Sequence, residues 1–271
     1  MQHSNLTKKD IVGALRTLGL PAGSMVLVHS SLSSMGWVEG GAETVIDALL
    51  EAAGPAGTVI VPTLTGTEQD SFEHPPVFDP RVSPCWTGTI PETFRRRPVA
   101  VRSRHPTHSV ACIGPAADRL IRGHEYCATP CAADSPYGRL AEEGGSILLL
   151  GVTHDSNTCL HMVEEMARVP YHMQNRPAVA RVAREDGSWE EIEVSLHLWR
   201  WERNFPKVEP HLHAAGAQRD GYVGQALCRL IDARSMRDLL VPMLERDPLF
   251  LLSDTARAEY VRSMQSADRL G

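Results

Sequence analysis

The string NTCLHMVEE sets His161 three and four residues ahead of two carboxylates, Glu164 and Glu165. On a helix those positions lie one turn apart, so the imidazole can touch either carboxylate and be oriented by it. A neutral imidazole near pH 7 takes a proton directly or through one water, which is general-base chemistry. Three other polar clusters follow or interrupt apolar runs: His29-Ser30-Ser31, the RSRHPTHS stretch from Arg102 to Ser109, and DSPY from Asp134 to Tyr137.

Other chemistries have weaker support. His105, His108, His124, Cys127 and Cys131 suggest zinc, but a tetrahedral structural site wants four soft ligands, commonly as two tight pairs. CATPC carries Pro130 between its cysteines and has no matching second pair, so no metal is expected. Cys159 precedes His161 by two residues and invites a thiolate nucleophile. Side chains at that spacing on a helix point apart, and Cys159 is expected to be buried. GWVEGGAE lacks both a Walker lysine and the three-glycine dinucleotide spacing. Gly40 and Gly41 fit either a close approach to an anion or a tight turn before a helix.

These clusters need elements to position them. Thr7 and Asp10 mark a helix start, with Ile11, Leu15 and Leu18 on one face and Gly19 and Pro21 as the stop. Met25 to Val28 reads as a buried strand that delivers His29, Ser30 and Ser31 at its end, where open α/β sheets place ligands. Ala42 to Ala53 reads as a helix and Thr58 to Val61 as a second strand, long enough apart for a right-handed parallel crossover. Residues 64–104, rich in proline and aromatics, are expected to form an irregular substrate-facing insertion with a short helix in TGTIPETFRR. Val110 to Ile113 and Ala116 to Ile121 read as strand and helix, and SILLLGV as the clearest central strand. EDGSW separates two alternating runs, a β-hairpin near 178–194 that makes the sheet mixed. Gly224 to Met236 and Ser253 to Met264 read as helical or partly helical.

Composition restricts the class. A chain of 271 residues buries roughly 70% of its extended surface and needs neither disulfides nor a metal to hold a core. The 33 acidic and 27 basic side chains leave a net charge of -6, which disfavours a nucleic-acid surface and suits a cationic small molecule. No apolar run spans a bilayer and the N-terminal stretch lacks a secretory signal pattern, so a cytoplasmic protein without a membrane partner is expected. The six cysteines are irregularly spaced and are expected as reduced thiols.

Together, VHSSLSSMGWVEGGAETVIDALLEAAGPAGTVIVPT, FDPRVSPCWTGTIPETFRRRPVAVRSRHPTHSV, DSPYGRL, ILLLGVTHDSNTCLHMVEE and GYVGQA strongly resemble the aminoglycoside 3-N-acetyltransferase family. They occur in family order through nearly the whole chain. The resemblance implies an α/β fold of the antibiotic N-acetyltransferase type, one domain over 1–271 in three layers, with a central mixed, partly parallel sheet flanked by helices. It implies acetyl-CoA as cosubstrate, no metal, and acetyl transfer to the 3-amino group of a 2-deoxystreptamine aminoglycoside, giving antibiotic resistance. Two other readings keep the fold: an acetyltransferase for a non-antibiotic small amine, or an inactive CoA-binding protein. The partner is then a small polycation, and the chain a monomer or homodimer.

By the same resemblance His161 is the catalytic histidine. His29, Ser30 and Ser31 match the family's cofactor-side segment, and Ser103, His108 and Ser109 its second polar loop. Tyr137, Asn157 and Thr158 are expected on the cofactor side too, and Arg102 and Arg104 are expected to meet CoA phosphates through directed hydrogen bonds. Glu164 or Glu165 orients His161, with Glu164 taken as its catalytic partner and Glu165 as a substrate contact beside Asp70, Glu73 and Asp155. A backbone N–H near Ser30, Ser31 or Thr158 is expected to stabilise charge on the thioester oxygen.

Overall fold

The computed structural model describes residues 5–268. Helix α1 (Lys8–Leu18) begins at a reciprocal capping box between Thr7 and Asp10 and ends at Gly19, whose φ of 94° lies in the left-handed region. Strand β1 (Met25–Ser30), helix α2 (Gly41–Ala53) and strand β2 (Thr58–Pro62) come next along the chain, and β1 pairs with β2 in parallel as the crossover required.

Strand β3 (Val77–Phe78), helix α3 (Thr89–Arg95) and strand β4 (Val101–Arg102) lie inside the irregular 64–104 segment. Beyond it are strand β5 (Val110–Ile113), helices α4 (Ala117–Ile121) and α5 (Pro136–Glu142), strand β6 (Ser146–Leu150) and helix α6 (Cys159–Met166). Strands β7 (Ala178–Ala183) and β8 (Trp189–Val194) pair antiparallel. Helix α7 (Glu209–Ala214), strands β9 (Gln218–Val223) and β10 (Ala226–Asp232) and helices α8 (Ala233–Arg246) and α9 (Asp254–Asp268) complete the order.

Seven strands form one mixed sheet in the order β4-β5-β2-β1-β6-β10-β9. Its centre, β2-β1-β6, is parallel, and β5 and β10 run antiparallel on either side. Alternation along the central strands gives both faces a core. Leu27, Ile60, Ile147 and Leu149 pack with residues of α4, α5, α6 and α8. Val26, Val28, Val59, Val61, Leu148 and Leu150 pack on the other side with α1, α2 and α3. Because each strand is apolar on both faces, helices must cover both, and three layers result. A smaller sheet, β3-β7-β8, joins the 64–104 segment to the hairpin around Phe78. None of the described helices is long and apolar enough to cross a membrane.

One expectation is corrected. Gly224 to Met236 is helical only at its end: Ala226–Asp232 is strand β10, and α8 starts at Ala233. Its leucines and arginine are compatible with a helix, but Cys228, Leu230 and their neighbours pair with Leu150, Leu148 and the rest of β6. Pairing with an already buried central strand overrides local preference.

Candidate active site

β1 and β6 lie side by side with Ser30 opposite Leu150, so the loops leaving both strands emerge at one sheet edge. After β6 the chain must turn at once. Gly151 does so at φ 72°, and a Cβ there would collide with Ser34 Oγ. Thr153 then caps a single 3-10 turn, and Asn157 Oδ1 accepts from the Cys159 N–H at 3.2 Å to start α6. These local bonds place His161 over the edge, on the first turn of α6.

His161 Nδ1 lies 2.7 Å from Glu164 Oε2, with the imidazole 19% exposed and the carboxylate fully buried. Arg203 Nε approaches the other Glu164 oxygen at 3.3 Å, while Arg203 Nη2 donates to His172 Nδ1 at 2.9 Å. Burial alone would raise the Glu164 pKa; facing His172, the His161 hydrogen bond and Arg203 outweigh it and hold the carboxyl well below its ordinary range. Glu164 is therefore an anion that only accepts. That assigns the proton to His161 Nδ1 and leaves the Nε2 lone pair free.

His161 stands where two recesses meet. The first is lined by Val28, His29, Ser30, Leu64, Trp86, Thr87, Gly88, His108, Asn157, Thr158 and Trp199. The second is lined by Trp201, Glu202, Arg203, Asn204 and Phe205 and shares Asp155, His161 and Trp199 with the first. His29 Nε2 and Ser30 Oγ, both buried, have no hydrogen-bond partner among the described residues. Burial, helped by His154 and His161, lowers the His29 pKa to about 3, so this ring is neutral. With His108 Nε2, the His29 and Ser30 atoms make three unpartnered polar atoms in the recess wall, which fits a ligand that brings its own polar groups.

Of the residues expected to hold a cofactor, His29, Ser30, His108, Asn157 and Thr158 line the first recess. The others do not. Arg102 donates to the carbonyls of Thr63, Pro80 and Ser83 and to the hydroxyls of Thr63 and Ser109, beneath the Phe78 ring. Arg104 is held between Glu125 and Glu190 at 2.8 and 2.9 Å. Neither guanidinium is available to a phosphate. Ser103 Oγ accepts from the Val110 N–H and bonds His124, and Ser109 Oγ donates to the Thr63 carbonyl. Tyr137 is a core residue whose hydroxyl donates to the His108 carbonyl. The Ser31 N–H is committed to the Leu150 carbonyl at 3.0 Å, which removes it as a donor to an acyl oxygen.

The expected substrate contacts divide similarly. Asp155 is exposed at the shared mouth. Glu165 is not a substrate contact: Thr129, the Cys131 N–H and His197 Nε2 surround its carboxylate, which is 2% exposed. Asp70 accepts from the Thr67 N–H and lines a narrow crevice beside His108 and His197, and Glu73 is exposed outside both recesses. Cys159 is buried with its thiol pKa pushed far up by burial, so no thiolate forms there. The five-residue zinc set does not assemble, because His124 is taken by Ser103 and the Pro130 carbonyl.

Arg102 makes the correction testable. Arg102→Leu strands three carbonyls and should lower the unfolding free energy in urea by on the order of 3 kcal/mol. Acetyl-CoA KM in the folded fraction should stay within about threefold of wild type, and a tenfold rise would return Arg102 to the phosphates.

Sequence reasoning misses His172, His197, Trp199 and Arg203. The run LHLWRWERNF after the hairpin mixes histidine, tryptophan and charge in a loop, a pattern that signals a ligand-facing segment.

A buried carboxylate behind an imidazole, at the carboxyl edge of parallel strands and between two recesses, is the site of an α/β enzyme and has the parts that general-base chemistry needs. The chain belongs to the aminoglycoside 3-N-acetyltransferase family, whose sequence profile it matches over residues 27–245. It is 35% identical over 247 residues to aminoglycoside N(3)-acetyltransferase IV of Salmonella sp, covering 90% of each protein. It is likewise 35% identical over 269 residues to aminoglycoside N(3)-acetyltransferase VII of Streptomyces paromomycinus, covering 89% of this chain and 92% of that one. Among solved structures, a histidine-to-alanine mutant of aminoglycoside acetyltransferase AAC(3)-IVa in complex with a gentamicin superposes with a TM-score of 0.80 at 34% identity, covering 93% of both chains. AAC-IIIb in a binary complex with CoASH superposes with a TM-score of 0.78 at 28% identity, covering 90% of this chain and 98% of that one.

Proposed function

We propose that this chain transfers the acetyl group of acetyl-CoA to the 3-amino group on the 2-deoxystreptamine ring of an aminoglycoside. The observation that carries the reading is His161, fixed by Glu164 at 2.7 Å and facing two recesses that meet at its ring. The family relationship supplies the donor and acceptor classes.

Bound acetyl-CoA brings a thioester carbon open to attack. His161 Nε2 takes a proton from the incoming amine as its nitrogen bonds to the thioester carbon; the carbon–sulfur bond then breaks and the proton passes from His161 to the departing thiolate, giving the amide and CoASH. Glu164 and its hydrogen bond to Nδ1 stabilise the imidazolium that results, and Arg203 keeps Glu164 ionised. Ser30 Oγ, unpartnered at the first recess, is available to donate to an acyl oxygen as charge grows there. With Cys159 buried as a thiol, the transfer is direct and forms no acetyl-enzyme.

Leu64, Trp86, Thr87, Gly88 and Pro91 from the 64–104 segment line the first recess, which supports a ligand-facing role for that insertion. Asp155 and Glu202 edge the second, which suits a polycation, as does the net charge of -6. The six free cysteines fit a reducing, cytoplasmic setting.

Thiol release with acetyl-CoA and a panel of amines tests the reading. One acetyl mass should appear on a deoxystreptamine aminoglycoside, at the 3-nitrogen by NMR. Turnover confined to non-aminoglycoside amines, or none with acetyl-CoA bound, would refute it.

A further inference from the structure

His108, Cys131 and His197 come from the loop before β5, the segment before α5 and the loop after β8, yet each brings a donor atom to within 4.8 Å of the other two. The three side chains are buried, at 2%, 0% and 5% exposure. His108 Nε2 and His197 Nδ1 have no hydrogen-bond partner among the described residues. A buried nitrogen left so has lost water without gaining a partner, and two in one cluster call for a ligand. Glu165 adjoins them, with Oε1 2.6 Å from His197 Nε2 and Oε2 2.9 Å from the Cys131 N–H.

We propose that His108, Cys131 and His197 bind a thiophilic divalent cation of the zinc class, with Glu165 orienting His197 through its other ring nitrogen. One thiolate and two imidazoles are a borderline-soft donor set that suits such an ion better than calcium or magnesium. Bonds of about 2.3 Å to sulfur and about 2.0–2.1 Å to nitrogen require only a modest contraction of the cluster. On binding, Cys131 gives its thiol proton to solvent and the metal–sulfur bond forms in its place. The ion is structural and lies outside acyl transfer. It fixes His108, which forms part of the first recess wall.

Two neighbouring sets fit less well. His161, His172 and His197 also approach one another, but His172 Nδ1 accepts from Arg203, so its proton sits on Nε2 and no lone pair remains. Glu209, His213 and Asp220 are partly exposed, and Arg229 and Gln218 already bond to them. They offer no sulfur.

Full-length protein stripped with a chelator and titrated with Co²⁺ should develop a thiolate-to-cobalt charge-transfer band that saturates at a single equivalent. Cys127→Ser, in the same segment, should keep the band. Cys131→Ser and His197→Gln should lose it, with folding followed by circular dichroism. Should Cys131→Ser not fold, the His197→Gln and Cys127→Ser arms decide. No thiolate band in folded wild type, a band that survives Cys131→Ser, or loss in His172→Gln with retention in His197→Gln would overturn the site.

Discussion

His161→Ala will lose about a hundred- to ten-thousand-fold in kcat, the range set by removing a general base, while the KM values move far less. The ring touches solvent at the junction of the recesses and packs against Phe205 at 5.3 Å, so its loss opens space at a boundary rather than in the core. The fold should stay intact, and the Glu164–Arg203 contact with it. Steady-state rates with both substrates, alongside a urea melt, separate the two effects. Near-wild-type turnover would remove His161 as the base.

Glu164→Gln should damage both rate and stability. Glutamine keeps the shape but removes the anion, leaving Arg203 and its His172 partner without the charge they enclose. Breaking one side of a buried ion pair costs about 3–5 kcal/mol, which a urea melt at neutral pH will read. The rate falls too, because the neutral amide no longer stabilises the His161 imidazolium. The pH dependence has a definite sign. Glu164 has a folded pKa depressed below its ordinary value of 4.5, so its stabilisation is fully present above that value and is lost as pH falls through it toward the folded pKa. Wild type should therefore lose this contribution in acid, and the Glu164→Gln melt should be flatter over the same window. Parallel pH profiles would remove Glu164 as the buried anion.

The elements legible in the sequence are those whose pattern is self-contained. The Thr7–Asp10 box, the apolar runs of β1, β2 and β6, and the helical stripe of α2 need no distant partner to be recognised. β10 escapes a local reading because its strand state is decided by β6, and no local signal encodes that. The same division holds in the site. The His161–Glu164 contact comes directly from helix spacing. Glu165 has nearly the same spacing, yet its carboxylate is claimed by Thr129, Cys131 and His197. Arg102 has the chemistry of a phosphate ligand, but the Thr63, Pro80 and Ser83 carbonyls converge on it. Charge type can be read from the chain, but which acceptors reach it depends on tertiary closure.

The pairing of β1 with β6 joins Val26 to Ser146, across most of the first half of the chain. Closing so long a loop has an entropic cost that local hairpins avoid, so this contact forms late in refolding. His29 and His161 ride on opposite sides of that junction. Regain of helix signal should therefore run ahead of regain of turnover, with the kinetic gap set by one slow strand registration.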